Sequence, residues 1–305
     1  MDFGKLADIS TVDFTLPPDH DDTFRLLKNA PPRRGLPRVY LGCTGWAMKE
    51  WNGWVYPKGC KSIDYAHFYS RQFNTIEFNT THYRTPTAAD IQKWRTTTEA
   101  DFRFAPKMLQ QVSHAKNLGY GTGLTTQFCE AILGLEEKLG ICFMQMPPYF
   151  RFADLPILEK YLSKFPKAVP LAVEIRHESW FSTPQYFNAI FDLLENAKVS
   201  TVLTDVSGRR DVLHMRLTTP TAFIRFVGND LDATDFSRID AWIERLKTWF
   251  DAGLHEVYFF THEPDNLTAP HLARYFLEKM QAKMPAILRG PNFLNDGEPN
   301  QFSLF

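Results

Sequence analysis

The stretch Leu171-Ala172-Val173-Glu174-Ile175-Arg176 carries the pattern that decides the fold, a short apolar run followed at once by ionisable side chains. Parallel strands that are buried on both faces read as apolar runs of this kind. An eighth such run, residues 39–41, leads into Gly42-Cys43-Thr44-Gly45-Trp46. The remaining six runs end on Glu77 and Asn79, on Lys107, on Gln145, on Asp205, on Arg225, and on His262 and Glu263.

Segments with helical periodicity separate most of these runs, and strands are predicted to begin near residues 39, 75, 102, 140, 171, 200, 221 and 256. Alternation of strand and helix is typical of a parallel α/β sheet. Eight strand candidates favour a TIM-type (β/α)8 barrel over an open sheet. Residues 204–220 show no convincing helix, so the crossover between the sixth and seventh strands is expected to be irregular. No G-x-G-x-x-G follows the first strand, and no nucleotide cofactor is expected.

The chain divides into three predicted parts. Residues 1–38 are rich in proline and are predicted to be an N-terminal arm with a short helix over residues 21–28. Residues 39–282 are predicted to form the barrel domain. Residues 283–305 lose periodicity and are predicted to be an extended C-terminal tail.

Composition limits the classes of function. The 305 residues are 44% hydrophobic and 23% charged with a formal net charge of −1, so no global basic field draws the protein to nucleic acid or a membrane. The four cysteines have no C-x-x-C spacing and do not form a disulfide framework. No apolar signal-peptide core and no run of ~18 apolar residues occurs, so we expect a cytoplasmic protein without a membrane partner.

Several local patterns, taken in order, resemble the YecE-like family, domain of unknown function 72. The resemblance implies a TIM-type barrel over about residues 39–280 and no settled activity, although a likeness to the endonuclease IV barrel has been suggested for such proteins. It weakens at Arg225-Phe226-Val227-Gly228, where members commonly carry Arg-x-His-Gly, and again after residue 260. The matching motifs are Gly42-Cys43-Thr44-Gly45-Trp46, Trp51-Asn52-Gly53-Trp54, Phe73 to Asn79, Tyr83, Phe102 to Lys107, Ser113-His114, Gln145-Met146-Pro147-Pro148 and Val173 to Trp180.

In a barrel the carboxyl ends of all strands meet at one rim, where active sites form. The predicted site therefore combines residues that are distant in sequence. The candidate catalytic residues are Glu77, Lys107, His114 and Glu174. The candidate substrate-binding residues are Trp46, Asn79, Tyr83, Gln145, Arg176, Trp180, Asp205, Arg225 and His262.

The chemistry of these groups stays open at this point. Lys107 is suited to phosphate binding, to acid–base work or to Schiff-base formation. Glu77 and Glu174 could instead act as the two carboxylates of a glycoside hydrolase. Histidines near the rim could join carboxylates around a divalent metal, but no H-x-x-x-H or H-E-x-x-H spacing occurs, so no metal ligand is assigned. The rim aromatics either stack on a sugar or base or cap the core.

The last five residues, Gln301-Phe302-Ser303-Leu304-Phe305, resemble the peptide by which bacterial replication and repair proteins dock on the sliding clamp. In such a peptide Leu304 and Phe305 enter an apolar pocket, and Gln301 forms hydrogen bonds upstream. The alternative is that these apolar side chains pack back on the barrel.

Three functional hypotheses follow. The first is an enzyme acting on a phosphorylated or nucleic-acid-related substrate, recruited by the clamp, with Lys107, Arg176 and Arg225 holding the anionic group. In this hypothesis Glu77 or Glu174 is the base, and His114 is a proton donor or a positioning group. The second is a carbohydrate-active hydrolase or isomerase that uses Glu77 and Glu174. The third is a non-catalytic ligand-binding or adaptor barrel.

Overall fold

Parallel strands form the centre of the molecule. The structure is a computed structural model that describes residues 4–294. The strands are β1 (Arg38–Cys43), β2 (Thr75–Phe78), β3 (Arg103–Pro106), β4 (Cys142–Gln145), β5 (Leu171–Glu174), β6 (Ser200–Asp205), β7 (Thr221–Val227), β8 (Glu256–His262) and β9 (Ile287–Arg289).

Helices alternate with these strands along the chain. Among the described residues, no helix is long and apolar enough to cross a membrane. The helices are α1 (Asp21–Asn29), α2 (Tyr65–Gln72), α3 (Ala88–Thr97), α4 (Gln110–Ser113), α5 (Leu124–Leu133), α6 (Leu155–Lys164), α7 (Pro184–Asn196), α8 (Ala233–Ala252) and α9 (Ala269–Lys283).

The strands form two parallel sheets, one in the order β4-β5-β6-β7-β8-β1-β9 and the other containing β2 and β3. The register brings the carboxyl ends of neighbouring strands level. Gln145 lies opposite Glu174, and Val227 lies opposite His262. Polar residues that end different strands are therefore placed at the same edge.

The α/β fold is as predicted, but neither sheet closes into a ring within residues 4–294. The place beside Arg38–Tyr40 of β1 is taken by β9. Instead of a continuous ladder to β2, an isolated bridge joins Thr44, the residue after β1, to Glu77 of β2. A second isolated bridge, between Lys107 and Phe143, links the end of β3 to β4.

The close approach of β1 to β2 depends on Gly42. A Cβ atom at this position would lie 2.2 Å from the carbonyl oxygen of Thr75, well inside van der Waals contact with a backbone atom. Next to it, the Asn74 side chain accepts a hydrogen bond from Leu41 N at 2.7 Å and donates one to Val39 O at 2.8 Å. This side chain supplies the hydrogen bonds that a continuous ladder would have made.

Buried apolar side chains form two separate clusters. The larger one lies between the strands and the helices. The smaller one, which we call the inner cluster, draws on strands from both sheets. It consists of Tyr40, Ala105, Ile141, Phe143, Ala172, Val202, Phe223, Tyr258 and Phe260.

Two segments depart from the alternation of strand and helix, and both bear on the predicted division of the chain. The crossover from β6 to β7 contains a 3-10 helix, Ser207–Val212, and no α-helix. The C-terminal segment begins with more structure than expected, because α9 extends to Lys283 and Ile287–Arg289 form β9. The predicted clamp-binding residues Gln301, Leu304 and Phe305 lie outside the described residues.

Candidate functional site

The polar residues at the strand ends lie on the same strand faces as the side chains of the inner cluster. Side chains on a strand alternate between its two faces, so positions two apart point the same way. Each of the following residues lies two positions after a member of the inner cluster: Lys107, Gln145, Glu174, Thr204, Arg225 and His262. The apolar floor therefore ends in a layer of charged and polar groups.

This layer borders a cavity of about 220 Å³. Of the predicted site residues, six line it; in addition, Gln145 contacts Lys107, and Glu174 contacts Arg225 and Arg176. The six predicted residues at the cavity are Glu77, Asn79, Lys107, Arg176, Arg225 and His262; the other lining residues include Lys5, Thr44, Thr204, Ser207, Asn229 and Glu263.

Arg225 holds two carboxylates together at the base of the site. Its Nε and Nη2 donate to Glu77 Oε2 and Oε1 at 2.8 and 3.1 Å, and its Nη1 donates to Glu174 Oε2 at 3.1 Å. Both glutamates are almost completely buried. All three guanidinium nitrogens contact a carboxylate, so Arg225 is part of a buried charge network. Arg225 also lines the cavity, and its role in holding a substrate anion stays a prediction.

Lys107 joins the same network through an amide. Its Nζ donates to Gln145 Oε1 at 3.0 Å, and Gln145 Nε2 donates to Glu174 Oε2 at 2.8 Å. Glu174 also lies 3.4 Å from Arg176 Nε. The side-chain contact of the Lys107 ammonium is therefore a neutral oxygen, whereas Arg225 and Arg176 lie against carboxylates.

The two glutamates are held ionised. Burial acts to raise the pKa of Glu77, but Arg225 and His262 outweigh it and hold that pKa well below its usual range. Burial also acts to raise the pKa of Glu174, and Arg225 and Arg176 lower it further than burial raises it. Neither carboxyl is a source of protons near neutral pH, which argues against a glycosidase-type general acid at these positions.

Lys107, unlike the two glutamates, has a pKa that is shifted toward neutral pH. Burial, reinforced by the positive charge of Arg225, lowers the pKa of Lys107 to about 8. An amine with this pKa exchanges its proton near physiological pH. Perturbed ionisation in a cavity is typical of acid–base residues.

His262 and Asn79 complete the polar wall around Glu77. His262 Nε2 lies 2.9 Å from Glu77 Oε2, and because a carboxylate only accepts hydrogen bonds, this nitrogen carries the proton. The other ring nitrogen, Nδ1, is then unprotonated in neutral His262. Asn79 Nδ2 donates to Glu77 Oε1 at 3.3 Å and also to Thr44 Oγ1.

Asp205 is a predicted site residue that does not line the cavity, because side chains on a strand alternate between its two faces. Asp205 lies two positions after Leu203, which belongs to the larger apolar cluster between the strands and the helices, so its side chain faces the helices. Its neighbour Thr204 lines the cavity. Asp205 accepts from Trp242 Nε1 at 2.7 Å and pairs with Arg238 at 2.8 Å and with Arg210. A direct substrate contact is replaced by a structural role.

Four other predicted residues do not line the cavity. Trp46 packs on Phe78 and other core rings, and Trp180 is fully buried with its Nε1 donating to Phe150 O. Tyr83 is 73% exposed, outside the cavity. His114 Nδ1 lies 2.9 Å from Ser113 Oγ, and burial together with the charges of Lys107 and Arg176 lowers its pKa.

Two charged residues that line the cavity, Lys5 and Glu263, were absent from the predicted set. Lys5 belongs to the N-terminal arm, and nothing in its local sequence connects it with the strand ends. Glu263 follows β8 directly. Its carboxylate accepts from Asp230 N at 2.8 Å and Leu231 N at 3.2 Å, and a Cβ atom on Gly228 would lie only 2.6 Å from Glu263 Oε1.

Glu263 gives a testable pH dependence. Burial, with a further contribution from Asp235, raises the pKa of Glu263 from 4.5 to about 7. The folded state then binds this proton more tightly than the unfolded state, so stability is highest at acid pH and falls as the pH rises from 4.5 to 7. We expect the Glu263 contribution to fall by roughly 1 to 3 kcal/mol across this window.

The measurement is urea unfolding of the wild type and of Glu263→Gln at several pH values from 4.5 to 8. The difference between the two free energies of unfolding should change with pH in the stated direction and level off above pH 7. Glu159→Gln, at an exposed position of α6, is the matched control and should show no such slope. A constant difference for Glu263→Gln would contradict the assignment.

Within residues 4–294, no three His, Cys, Asp or Glu side chains come together as a set of metal ligands. The carboxylates at the cavity are bound instead by Arg225, His262, Gln145 and backbone N–H groups.

Comparison with known proteins places the chain among relatives without a described activity. A family model described as "Protein of unknown function DUF72" matches residues 40–294. The UPF0759 protein YecE of Escherichia coli (strain K12) is 28% identical over 285 residues, which cover 88% of this chain and 100% of that protein. The UPF0759 protein YunF of Bacillus subtilis (strain 168) is 26% identical over 155 residues, covering 48% of this chain and 54% of YunF.

Solved structures of similar shape agree with the fold. A DUF72 family protein from Enterococcus faecalis V583 superposes with a TM-score of 0.64 at 18% identity and covers 80% of this chain and 98% of its own. A DUF72 family protein from Thermotoga maritima MSB8 superposes with a TM-score of 0.62 at 24% identity, covering 80% and 99%. At these identities the likeness concerns the fold.

Proposed function

We propose that this chain, which belongs to the DUF72 family of proteins of unknown function, is a hydrolase-type enzyme that acts on a small phosphorylated substrate. The single observation that carries the proposal is Lys107, a buried cavity amine with a pKa lowered to about 8. Its Nζ contacts a neutral amide oxygen. Such an ammonium can bind an anionic group and give up its proton near neutral pH.

The site offers an acid and a base. Glu77 holds the Nε2–H of His262, so His262 Nδ1 is suited to accept a proton from an attacking water. Lys107 donates its proton to the leaving oxygen, and Arg176 contributes positive charge at the cavity wall. These roles replace the predicted use of Glu77 or Glu174 as the base, because the arginine-bound carboxylates are weak bases.

The size of the cavity favours a small substrate. Pockets for drug-sized ligands measure about 300–1,000 Å³, so about 220 Å³ suits a phosphate with a few carbon atoms or one terminal group of a larger molecule. A double-stranded nucleic acid is too large to enter. The carbohydrate-active alternative is not supported by Glu77 and Glu174, since both are held ionised.

A panel of small phosphomonoesters tests this proposal. Each compound is incubated with the wild-type protein, and released phosphate and changes in melting temperature are measured. We expect at least one compound to raise the melting temperature and to be turned over, and the Arg176→Ala variant to lose most of the thermal shift. Turnover of unphosphorylated glycosides with no response to any phosphate compound would contradict it.

The proposed architecture is an irregular TIM-type barrel formed by β1 to β8. It is supported by the order of the strands, by the isolated bridges at Thr44 and Lys107, and by the inner cluster, whose side chains come from β1 and β3 through β8. A rim of strand ends is where such barrels carry their chemistry.

The C-terminal peptide supports a proposed partner, the bacterial sliding clamp. Docking requires an extended peptide whose Leu304 and Phe305 enter an apolar pocket. We expect Leu304→Ala combined with Phe305→Ala to abolish binding to purified clamp in surface plasmon resonance. Phe302→Ala, at a variable position of the motif, is the matched control and should retain binding. Equal binding by the double variant and the wild type would contradict the proposal that this peptide binds the clamp.

A further inference from the structure

We propose that the N-terminal arm completes the substrate site and that Lys5 binds the anionic group of the substrate. This inference rests on the proposed phosphorylated substrate. Lys5 lines the cavity together with Lys107 and Arg176 although it lies over 30 residues before β1. The family model begins at residue 40, so this cation comes from a part of the chain outside the matched region.

Gly4, next to Lys5 in the arm, is fixed to the cavity wall. The carbonyl oxygen of Gly4 accepts hydrogen bonds from Gly208 N at 2.7 Å and from Ser207 Oγ at 3.2 Å. Ser207 and its neighbour Val206 both line the cavity. These bonds place the residue before Lys5 directly against the site.

The packing at this anchor requires two glycines. Gly4 has a φ of +78°, in the left-handed region, and a Cβ atom there would lie 2.9 Å from Val206 Cγ1. A Cβ atom on Gly208 would lie 2.8 Å from Gly4 O. The backbone of the arm therefore approaches the crossover between β6 and β7 more closely than residues with side chains allow.

A second anchor lies at Phe14. The guanidinium carbons of Arg238 and Arg210 lie 4.8 and 5.5 Å from the centre of its ring, within the range of cation–π contact. Arg210 Nη2 also donates to Phe14 O at 3.1 Å. Asp205 pairs with both arginines, which gives this buried carboxylate a function in holding the arm.

A third anchor precedes α1. Arg245 Nη1 donates to Pro17 O and to Asp19 Oδ1, both at 3.0 Å, and Trp249 Nε1 donates to Asp19 Oδ1 at 2.7 Å. The arm is thus bound to the body of the protein at three places before its helix begins. Anchoring of this extent explains how a residue near the start of the chain reaches the cavity.

The chemistry of Lys5 suits an anionic ligand. Its side chain is exposed, so it is a flexible ammonium that can close on a phosphate after the ligand enters. Arg225 is paired with Glu77 and Glu174, whereas Lys5 supplies a cation at the cavity from outside this network. Lys5 would therefore contribute to binding of the phosphate group and less to the proton transfer assigned to Lys107.

The test is calorimetric titration of the full chain with inorganic phosphate. We expect Lys5→Ala to weaken binding about 5- to 20-fold, and Lys28→Ala, an exposed lysine of α1, to bind like the wild type. Lys107→Met should lose binding by a larger factor. If Lys5→Ala binds like the wild type while Lys107→Met does not, this inference is wrong and the proposed function stands. If the wild type binds no phosphate, both are wrong.

Hydrogen exchange tests the contact between the arm and the cavity wall independently of any ligand. We expect the peptide containing Gly208 to exchange faster in Phe14→Ala than in the wild type, because the Gly208 N–H loses its partner on the arm. Phosphate binding should weaken in Phe14→Ala by about the same factor as in Lys5→Ala, and the double variant should be no weaker than either. Unchanged exchange and unchanged binding in Phe14→Ala would overturn the role of the arm.

Discussion

Arg225→Leu is expected to cost about 3 to 5 kcal/mol of folding stability, because it leaves Glu77 and Glu174 buried without the cation that both of them share. Each carboxylate would have to take up a proton or draw in water, and both routes cost free energy. The measurement is urea unfolding of wild type and variant at pH 7, followed by circular dichroism.

The matched control is Arg71→Leu. Arg71 pairs with Glu99 at 3.1 Å, but both side chains are well exposed, and such pairs contribute about 0 to 1 kcal/mol. Adding Glu77→Gln and Glu174→Gln to Arg225→Leu should restore part of the stability by removing the buried charges. Equal losses in Arg225→Leu and Arg71→Leu would show that the network at the base of the cavity does not behave as a buried one.

Lys107→Met is expected to lower kcat by about 10²- to 10⁴-fold on the phosphomonoester that the panel identifies, since a general acid contributes on this scale. In the wild type, the rate should fall as the pH rises through about 8, because the ammonium that donates the proton is lost there. The variant should lack this step in its pH profile. Stopped assays over pH 6 to 10 measure both effects.

Lys93→Met, which removes an exposed lysine of α3, is the control for charge and for solution effects. It should keep the wild-type rate and pH profile. A rate that rises through pH 8 would assign Lys107 as a base instead. A Lys107→Met variant that folds and retains full activity would exclude the residue from the chemistry.

Much of the site could be predicted because parallel strands end in register. Lys107, Glu174 and His262 come together although the first and the last are 155 positions apart, and each was identified from its place after an apolar run. Alternation along the strands explains the main error. Asp205 is two positions from Leu203, whose side chain faces the helices, so Asp205 faces them too. Val202 belongs to the inner cluster, and the residue two positions after it, Thr204, is the one that lines the cavity.

Other features depend on contacts that no local pattern encodes. The pairing of Arg225 with two carboxylates follows from the spatial order of the strands and the reach of three side chains. The place of Lys5 depends on hydrogen bonds between residues about 200 positions apart. The interrupted ladder beside β1 depends on β9, which lies in a segment without periodicity.

The most direct test of the proposed chemistry is an NMR titration of Lys107 in protein with isotope-labelled lysine, assigned by the resonance that disappears in Lys107→Met. We predict that this amine titrates near pH 8 and that its pKa rises when phosphate fills the cavity, because a bound anion stabilises the ammonium. An ordinary titration above pH 10 that does not respond to phosphate would contradict the acid–base role of Lys107.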